Sequence, residues 1–278
     1  MIRLVLSDID GTLVTPGRRR TSERTIAAIR QLKFAGIEFG PATGRPYRDA
    51  LAFLGDDPAM LDCAILNNGR TIISAGRIIH DEPISHDDLV AVREVIGAYD
   101  GVYICYSITD PESEKGLGCN WHACAPAEDR PTLSRILGEL GLDLTFDDEV
   151  VEGHCQCAGV VCLPGSQEDV AVYRLGEVLP HIELPSPVAC WHDIVPNGRN
   201  KAYGLGILLP SLGLSADEVL CIGDSANDLA LFAAIPNSAC VADGSRRARA
   251  AASRVIGGCD DDGPAELMER LACGDFPL

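Results

Sequence analysis

Asp8 and Asp10 stand two residues apart in the run Asp8-Ile9-Asp10-Gly11-Thr12-Leu13, directly after a short apolar segment. Two carboxylates at that spacing, followed by a glycine turn, can divide roles: one attacks as a nucleophile and the other moves a proton. A single Asp there would be an ordinary polar strand end; the full pattern is more specific. Ala42-Thr43-Gly44-Arg45 offers a hydroxyl and backbone N–H groups at a strand-to-helix turn. Such a turn suits a phosphoryl oxygen, because a helix N-terminus favours anions; alone it also reads as a helix cap. Gly223-Asp224-Ser225-Ala226-Asn227-Asp228 sets two more acids at the start of a helix. Capping explains one Asp there but not the second, and two hard oxygen donors suit Mg2+. Lys201 follows Asn200, a residue type that caps helices. A lone Lys on a helix is ordinarily a solvated charge, and only its place among the other segments singles it out.

The elements that would position these residues alternate at both ends of the chain. Ile2–Ser7, Ile37–Ala42 and Asp62–Leu66 read as strands, with helices over Thr21–Ala35 and Pro46–Leu54. Asn67-Asn68-Gly69 then makes a turn, and Thr71–Ser74 with Arg77–Ile79 a hairpin. The last third returns to the same alternation, with helices at Lys201–Leu209, Ala226–Ala234 and Arg246–Ala252. Its strands are Val219–Gly223, Ser238–Val241 and Arg254–Ile256. Repeated strand–helix units predict one parallel sheet covered on both faces. The middle has a different, α+β texture. Helices are expected at Leu89–Tyr99 and Glu168–Leu179 and strands at Val102–Ser107 and Val160–Leu163. The expected organisation is a core of residues 1–81 and 196–278 interrupted by an inserted domain, 82–195.

A formal charge of −18 over 278 residues repels nucleic acid and anionic membrane, so neither is expected as a partner. A phosphorylated substrate would also be repelled at long range and would need local positive charge, a metal, or both. The N-terminal apolar run is broken by acids within ten residues and is too short and too charged for a signal peptide. A soluble, cytoplasmic protein is expected, with its 12 cysteines mostly small buried thiols rather than disulfides.

In order and context the four segments resemble the four motifs of the haloacid dehalogenase superfamily. The position of the insertion, after Asn67-Asn68-Gly69, is similar to that of the Cof-type phosphatases with a type-2, subtype-B cap. The resemblance implies a Rossmann-like three-layer α/β core with a central parallel sheet plus an inserted α+β cap that chooses the substrate. It implies Asp8 as nucleophile and Asp10 as general acid/base, with Thr43 and Lys201 on the phosphate. It also implies Gly44, Arg45, Asn68 and Asn227 as further substrate-binding positions. Mg2+ would be held by Asp8, Asp224, Asp228 and the backbone carbonyl of Asp10. The implied reaction is hydrolysis of a small phosphorylated metabolite, a sugar phosphate or similar, through an aspartyl-phosphate. The same intermediate would serve a phosphosugar mutase or phosphotransferase, and a non-catalytic phosphometabolite-binding protein is a third reading. Phosphonate or carbon–halogen cleavage is less compatible, since Asp10 suits an oxygen leaving group. One departure is Arg70, where the family commonly has a small residue after Asn-Gly; here it is expected to face solvent.

Within the insertion, Cys119, His122, Cys124, His154, Cys155 and Cys157 are zinc's preferred ligand types. Their spacing does not follow a standard zinc pattern, so a cysteine-rich strand core is the expectation. Trp121, His122, Trp191 and His192 are the candidates for lining a substrate pocket.

Overall fold

The fold is taken from a computed structural model, which describes residues 1–110, 118–186 and 189–275. The chain forms two compact units, Met1–Asp81 with Asn200–Leu278, and Glu82–Arg199. The first unit opens with β1 (Leu4–Ser7), α1 (Glu23–Phe34), β2 (Glu38–Pro41), α2 (Tyr47–Phe53), β3 (Ala64–Leu66), β4 (Thr71–Ser74) and β5 (Arg77–Asp81). The second unit contains α3 (His86–Ile96), β6 (Val102–Asp110), β7 (Gly118–Cys124), α4 (Arg130–Glu139) and β8 (Leu144–Asp147). It continues with β9 (Cys155–Cys162), α5 (Glu168–Val178), β10 (Ile182–Glu183), β11 (Trp191–Asp193) and β12 (Val195–Pro196). The chain then re-enters the first unit with α6 (Lys201–Leu212), β13 (Val219–Gly223), α7 (Leu229–Ala234), β14 (Asn237–Val241), α8 (Arg246–Ala251), β15 (Arg254–Ile256) and α9 (Gly263–Ala272).

Five parallel strands, in the order β15-β14-β13-β1-β2, form the sheet of the first unit. Every residue of β1 is buried, as a central parallel strand covered on both faces requires. Leu4 and Leu6 pack with Leu205 and Leu208 of α6 and with Leu231 and Phe232 of α7, while α1 and α9 pack on one another. The hairpin β4–β5 and strand β3 form a separate antiparallel sheet, joined to the end of β2 by the bridge between Ala42 and Ile65. Among the described residues no helix is long and apolar enough to cross a membrane, and the described cysteines are free thiols.

The second unit is built on a five-stranded sheet, β11-β9-β6-β7-β8. All eight residues of β9 are buried, so the strand carries no alternation, and its start lies five residues before the expected Val160. Helix α4 and strands β7 and β8 are further elements that the sequence pattern did not suggest. The unit runs on through Arg199, past the expected boundary at 195. Val195–Pro196 pairs with β10, and Asn197 donates to the carbonyls of His181 and Pro180. Trp121 and Trp191 meet edge to face, 5.9 Å between centroids, inside this unit's core, so they serve as packing residues. A register shift opposite Ser107 and Ile108 inserts Gln156 between Cys155 and Cys157. The two thiols thereby fall into different cores, Cys155 with Ile104 and Cys157 with Trp121. Cys124 lies in the first of these cores, His122 pairs with Asp147 at 2.7 Å, and the Cys119 side chain lies outside the described residues. The described members of the expected Cys/His set are therefore not gathered at one point.

A Cβ at Gly159 would lie 2.4 Å from the indole ring of Trp191. Gly159→Ala is expected to destabilise the second unit by about 1–3 kcal/mol, the usual cost of forcing extra volume into a packed core. Urea unfolding followed by tryptophan fluorescence measures it.

Candidate active site

The strand order reverses at β1, with β2 on one side and β13 on the other. In open parallel sheets the crevice beyond the carboxyl ends at such a reversal is where ligands bind. Asp8 is the first residue past β1, and its N–H donates to Ile222 O of β13 at 2.9 Å. Asp224 is the first residue past β13, and Thr43 lies two past β2.

Lys201 begins α6, whose N-cap Asn200 accepts from the Tyr203 N–H through its side chain. A cation is disfavoured at a helix N-terminus, and two carboxylates hold it there. Lys201 Nζ donates to Asp8 Oδ1 and to Asp228 Oδ1, each at 2.6 Å, and all three side chains are buried. The other oxygen of Asp228 accepts the N–H groups of Asp224 (2.9 Å) and Ser225 (3.2 Å). Asp228 thus fixes both the ammonium and the loop that carries Asp224. Two close approaches make this possible. A Cβ at Gly223 would fall 2.3 Å from Asp228 Cγ. A Cβ at Gly204 would fall 2.9 Å from Gly69 Cα, so only small residues let α6 settle against the Asn67–Gly69 turn.

The cluster is short of positive charge. Ligand atoms of Asp8, Asp224 and Asp228 lie within 4.8 Å of one another, against the single ammonium of Lys201. Burial raises the Asp8 carboxyl well above its ordinary value. Lys201 opposes the rise, and Asp228, Asp224 and Asp10 add to it. Asp224 is pushed up to about 6, by burial and then by Asp228. Burial would lower the Lys201 pKa, but Asp228 and Asp8 outweigh it and hold the ammonium charged. Three hard oxygen donors with that deficit fit a divalent cation such as Mg2+.

Asp10 lies at the edge of this cluster with its carboxylate engaged elsewhere. Arg45 donates to it through Nε and Nη2, both at 2.7 Å, and the guanidinium lies 3.9 Å over the Phe53 ring. The bidentate pair holds Asp10 in a defined place. Thr43 is buried, and its Oγ1 accepts the Arg45 N–H at 3.2 Å. Gly44 abuts Asn68, whose Nδ2 would lie 3.1 Å from a Cβ at that position. Asn68 is buried in a left-handed conformation. Asn227, on the loop between Asp224 and Asp228, accepts from the Ser225 hydroxyl at 2.8 Å. Arg70 is a correction: expected in solvent, it is 2% exposed, its N–H closing the turn onto Asn67 O. Thr12 was not singled out, yet its Oγ1 donates to Asp224 Oδ1 at 3.3 Å. Gly11 beside it has φ +75°, and a Cβ there would meet Asp224 Oδ2 at 2.7 Å. Both sit inside the first motif, so the signal was present; Phe53 had none.

The sequence profile of the haloacid dehalogenase-like hydrolases matches residues 5–115 and 186–268. The chain belongs to this family. Its relatives include the 5-amino-6-(5-phospho-D-ribitylamino)uracil phosphatase YbjI of Escherichia coli, 22% identical over 100% of this chain and 98% of YbjI. The pyridoxal phosphate phosphatase YbhA of the same organism is 24% identical over 96% and 97%. Among solved structures, SMU.1108c of Streptococcus mutans superposes with a TM-score of 0.82 at 17% identity, covering 98% of this chain and 100% of that one. The haloacid dehalogenase subclass IIB sugar phosphatase BT4131 gives 0.75 at 21% identity, covering 97% and 98%. The fold of a haloacid dehalogenase-like hydrolase, expected from the motifs, is the fold found, and the likeness to a subclass IIB structure extends through the insertion.

Replacing Lys201 tests the charge balance. In Lys201→Met, buried carboxylates lose their only ammonium, and the metal-free protein is expected to lose about 3–5 kcal/mol at neutral pH, the usual cost of breaking a buried pair. With the ammonium gone, the folded-state carboxyl pKa values rise further above their unfolded values. The folded state then binds more protons, and stability returns as pH falls. Urea unfolding at neutral and at mildly acidic pH measures both effects.

Proposed function

We propose that this haloacid dehalogenase-like hydrolase is a Mg2+-dependent phosphatase that hydrolyses a small phosphomonoester, a sugar phosphate or a similar metabolite, through a phosphorylated Asp8. One observation carries the reading: three segments distant in sequence deliver Asp8, Lys201, and Asp224 with Asp228 into one largely buried cluster at the carboxyl ends of β1 and β13. The names of the relatives, phosphatases of small phosphorylated compounds, support the same class.

Asp8 is the nucleophile. Lys201 holds it through Oδ1 and counters the rise in its pKa, which favours the carboxylate that must attack. The attack forms an Asp8–phosphorus bond and breaks the bond to the leaving oxygen. Asp10, two residues on, donates a proton to that oxygen and then takes one from the water that hydrolyses the aspartyl-phosphate. Release of Asp10 from Arg45 frees the carboxyl for this exchange and the guanidinium for the incoming phosphate. The Thr43 hydroxyl accepts from Arg45 N–H and keeps its own hydrogen to donate to a phosphoryl oxygen. Lys201 supplies fixed positive charge to the same group, with Gly44, Asn68 and Asn227 as further contacts. Asp8, Asp224 and the Asp10 carbonyl would hold Mg2+, with Asp228 as a direct or water-mediated ligand. The ion supplies the positive charge that lets two anions approach.

Phosphate release from a panel of small phosphomonoesters, with Mg2+ and with EDTA, tests the reading. Release is expected with Mg2+, none with EDTA, and none from a folded Asp8→Asn protein. Full activity in Asp8→Asn would remove Asp8 as nucleophile, and isomer formation in place of free phosphate would point to a mutase.

A further inference from the structure

A second gathering of ligand-type side chains lies in the unit 82–199, away from the six cysteines and histidines that the sequence pattern brought forward. Ligand atoms of Cys162, Glu168 and His192 lie within 4.8 Å of one another. Among the described residues only one other group meets that spacing, the carboxylates Asp8, Asp224 and Asp228.

The fold builds this arrangement from three elements. Cys162 ends β9, and β11 pairs with β9 antiparallel, His192 opposite Val160. Residues two apart on a strand share a face, so Val160 and Cys162 point the same way, and both lie in the core that contains Ala171 and Leu175 of α5. Helix α5 therefore covers this face, and Glu168 is its first residue. His192 Nε2 lies 2.7 Å from Glu168 Oε1, and its Nδ1 lies 3.4 Å from Leu184 O. A backbone carbonyl behind Nδ1 is the usual support for a histidine that binds metal through Nε2, since it fixes the ring and its tautomer. Cys162 is buried and His192 nearly so, while Glu168 is partly exposed, which gives the group an opening to solvent. Cys190 sits on the next rung, its carbonyl accepting the Cys162 N–H at 2.9 Å.

We propose that Cys162, Glu168 and His192 form a metal site for a divalent transition ion. A thiolate, an imidazole and a carboxylate are the sulfur, nitrogen and oxygen donors characteristic of zinc. The fourth position falls to water or to the neighbouring Cys190. Binding releases the thiol proton and replaces the proton shared by His192 and Glu168 with the ion. The site clips the end of β9 to the start of α5 and to β11, and so closes the connection between β9 and β11.

The test uses the whole protein, purified without nickel or chelator and dialysed against Mg2+. Elemental analysis is expected to find about one zinc per chain. Loading with Co2+ is expected to give a thiolate-to-cobalt charge-transfer band, which oxygen ligands at the carboxylate cluster cannot produce. That band is expected to vanish in Cys162→Ser where water fills the fourth position and to weaken where Cys190 does, and zinc affinity to fall at least about tenfold in His192→Ala. Wild-type protein that is folded by circular dichroism yet retains no zinc and shows no thiolate band with Co2+ would overturn the site. So would an unchanged band in Cys162→Ser. The wild-type measurements decide even if a variant fails to fold.

Discussion

The ammonium of Lys201, held at 2.6 Å by both Asp8 and Asp228, is the contact on which the rest of the candidate site depends. It lies where neither helix dipole nor burial favours a cation, so the surrounding structure has to hold it. Asn200 caps the helix, the Gly69–Gly204 contact brings that helix against the turn, and Gly223 leaves room for Asp228. Asp228 in turn orders the loop of Asp224 through two backbone N–H groups. One ion-paired triad therefore joins α6, β1 and the loop after β13. It also leaves the carboxylates in excess, the feature on which the proposed divalent-cation site rests.

The acids of the cluster were legible because the runs Asp8–Leu13 and Gly223–Asp228 each follow a short apolar strand, and a single polar strand end or helix cap accounts for only one acid in each run. Asp8, Asp224 and Asp228 needed only that reading. Lys201 needed the company of the others, since a lysine at a helix start has no signature of its own. What could not be read was pairing across the fold. The clamp of Arg45 on Asp10, and the ring of Phe53 under it, depend on how α2 lies relative to β1. Arg70 looked like a surface residue because charge is normally solvated, and only the closed Asn67–Gly69 turn shows it buried.

The inserted unit was harder for a physical reason. Its central strand β9 is buried along its whole length, so the alternation that marks a strand is absent. The bulge at Gln156 sends Cys155 and Cys157 to opposite sides, which no spacing rule anticipates. Cys162 and Glu168 were not singled out and His192 was read only as a pocket-lining candidate, because the three come from separate elements and one of them is a carboxylate rather than a cysteine or histidine.

On the proposed function, a pocket built short of positive charge would bind its cation in competition with protons. Calorimetric titration of Mg2+ into the metal-free protein, from well below to well above the Asp224 pKa of about 6, tests this most directly. Below that value Asp224 is protonated, and the ion has to displace the proton. Affinity is expected to fall as pH drops through about 6, with protons released on binding. Affinity that stays flat across the range, without proton release, would contradict a cluster held in wait for a divalent ion.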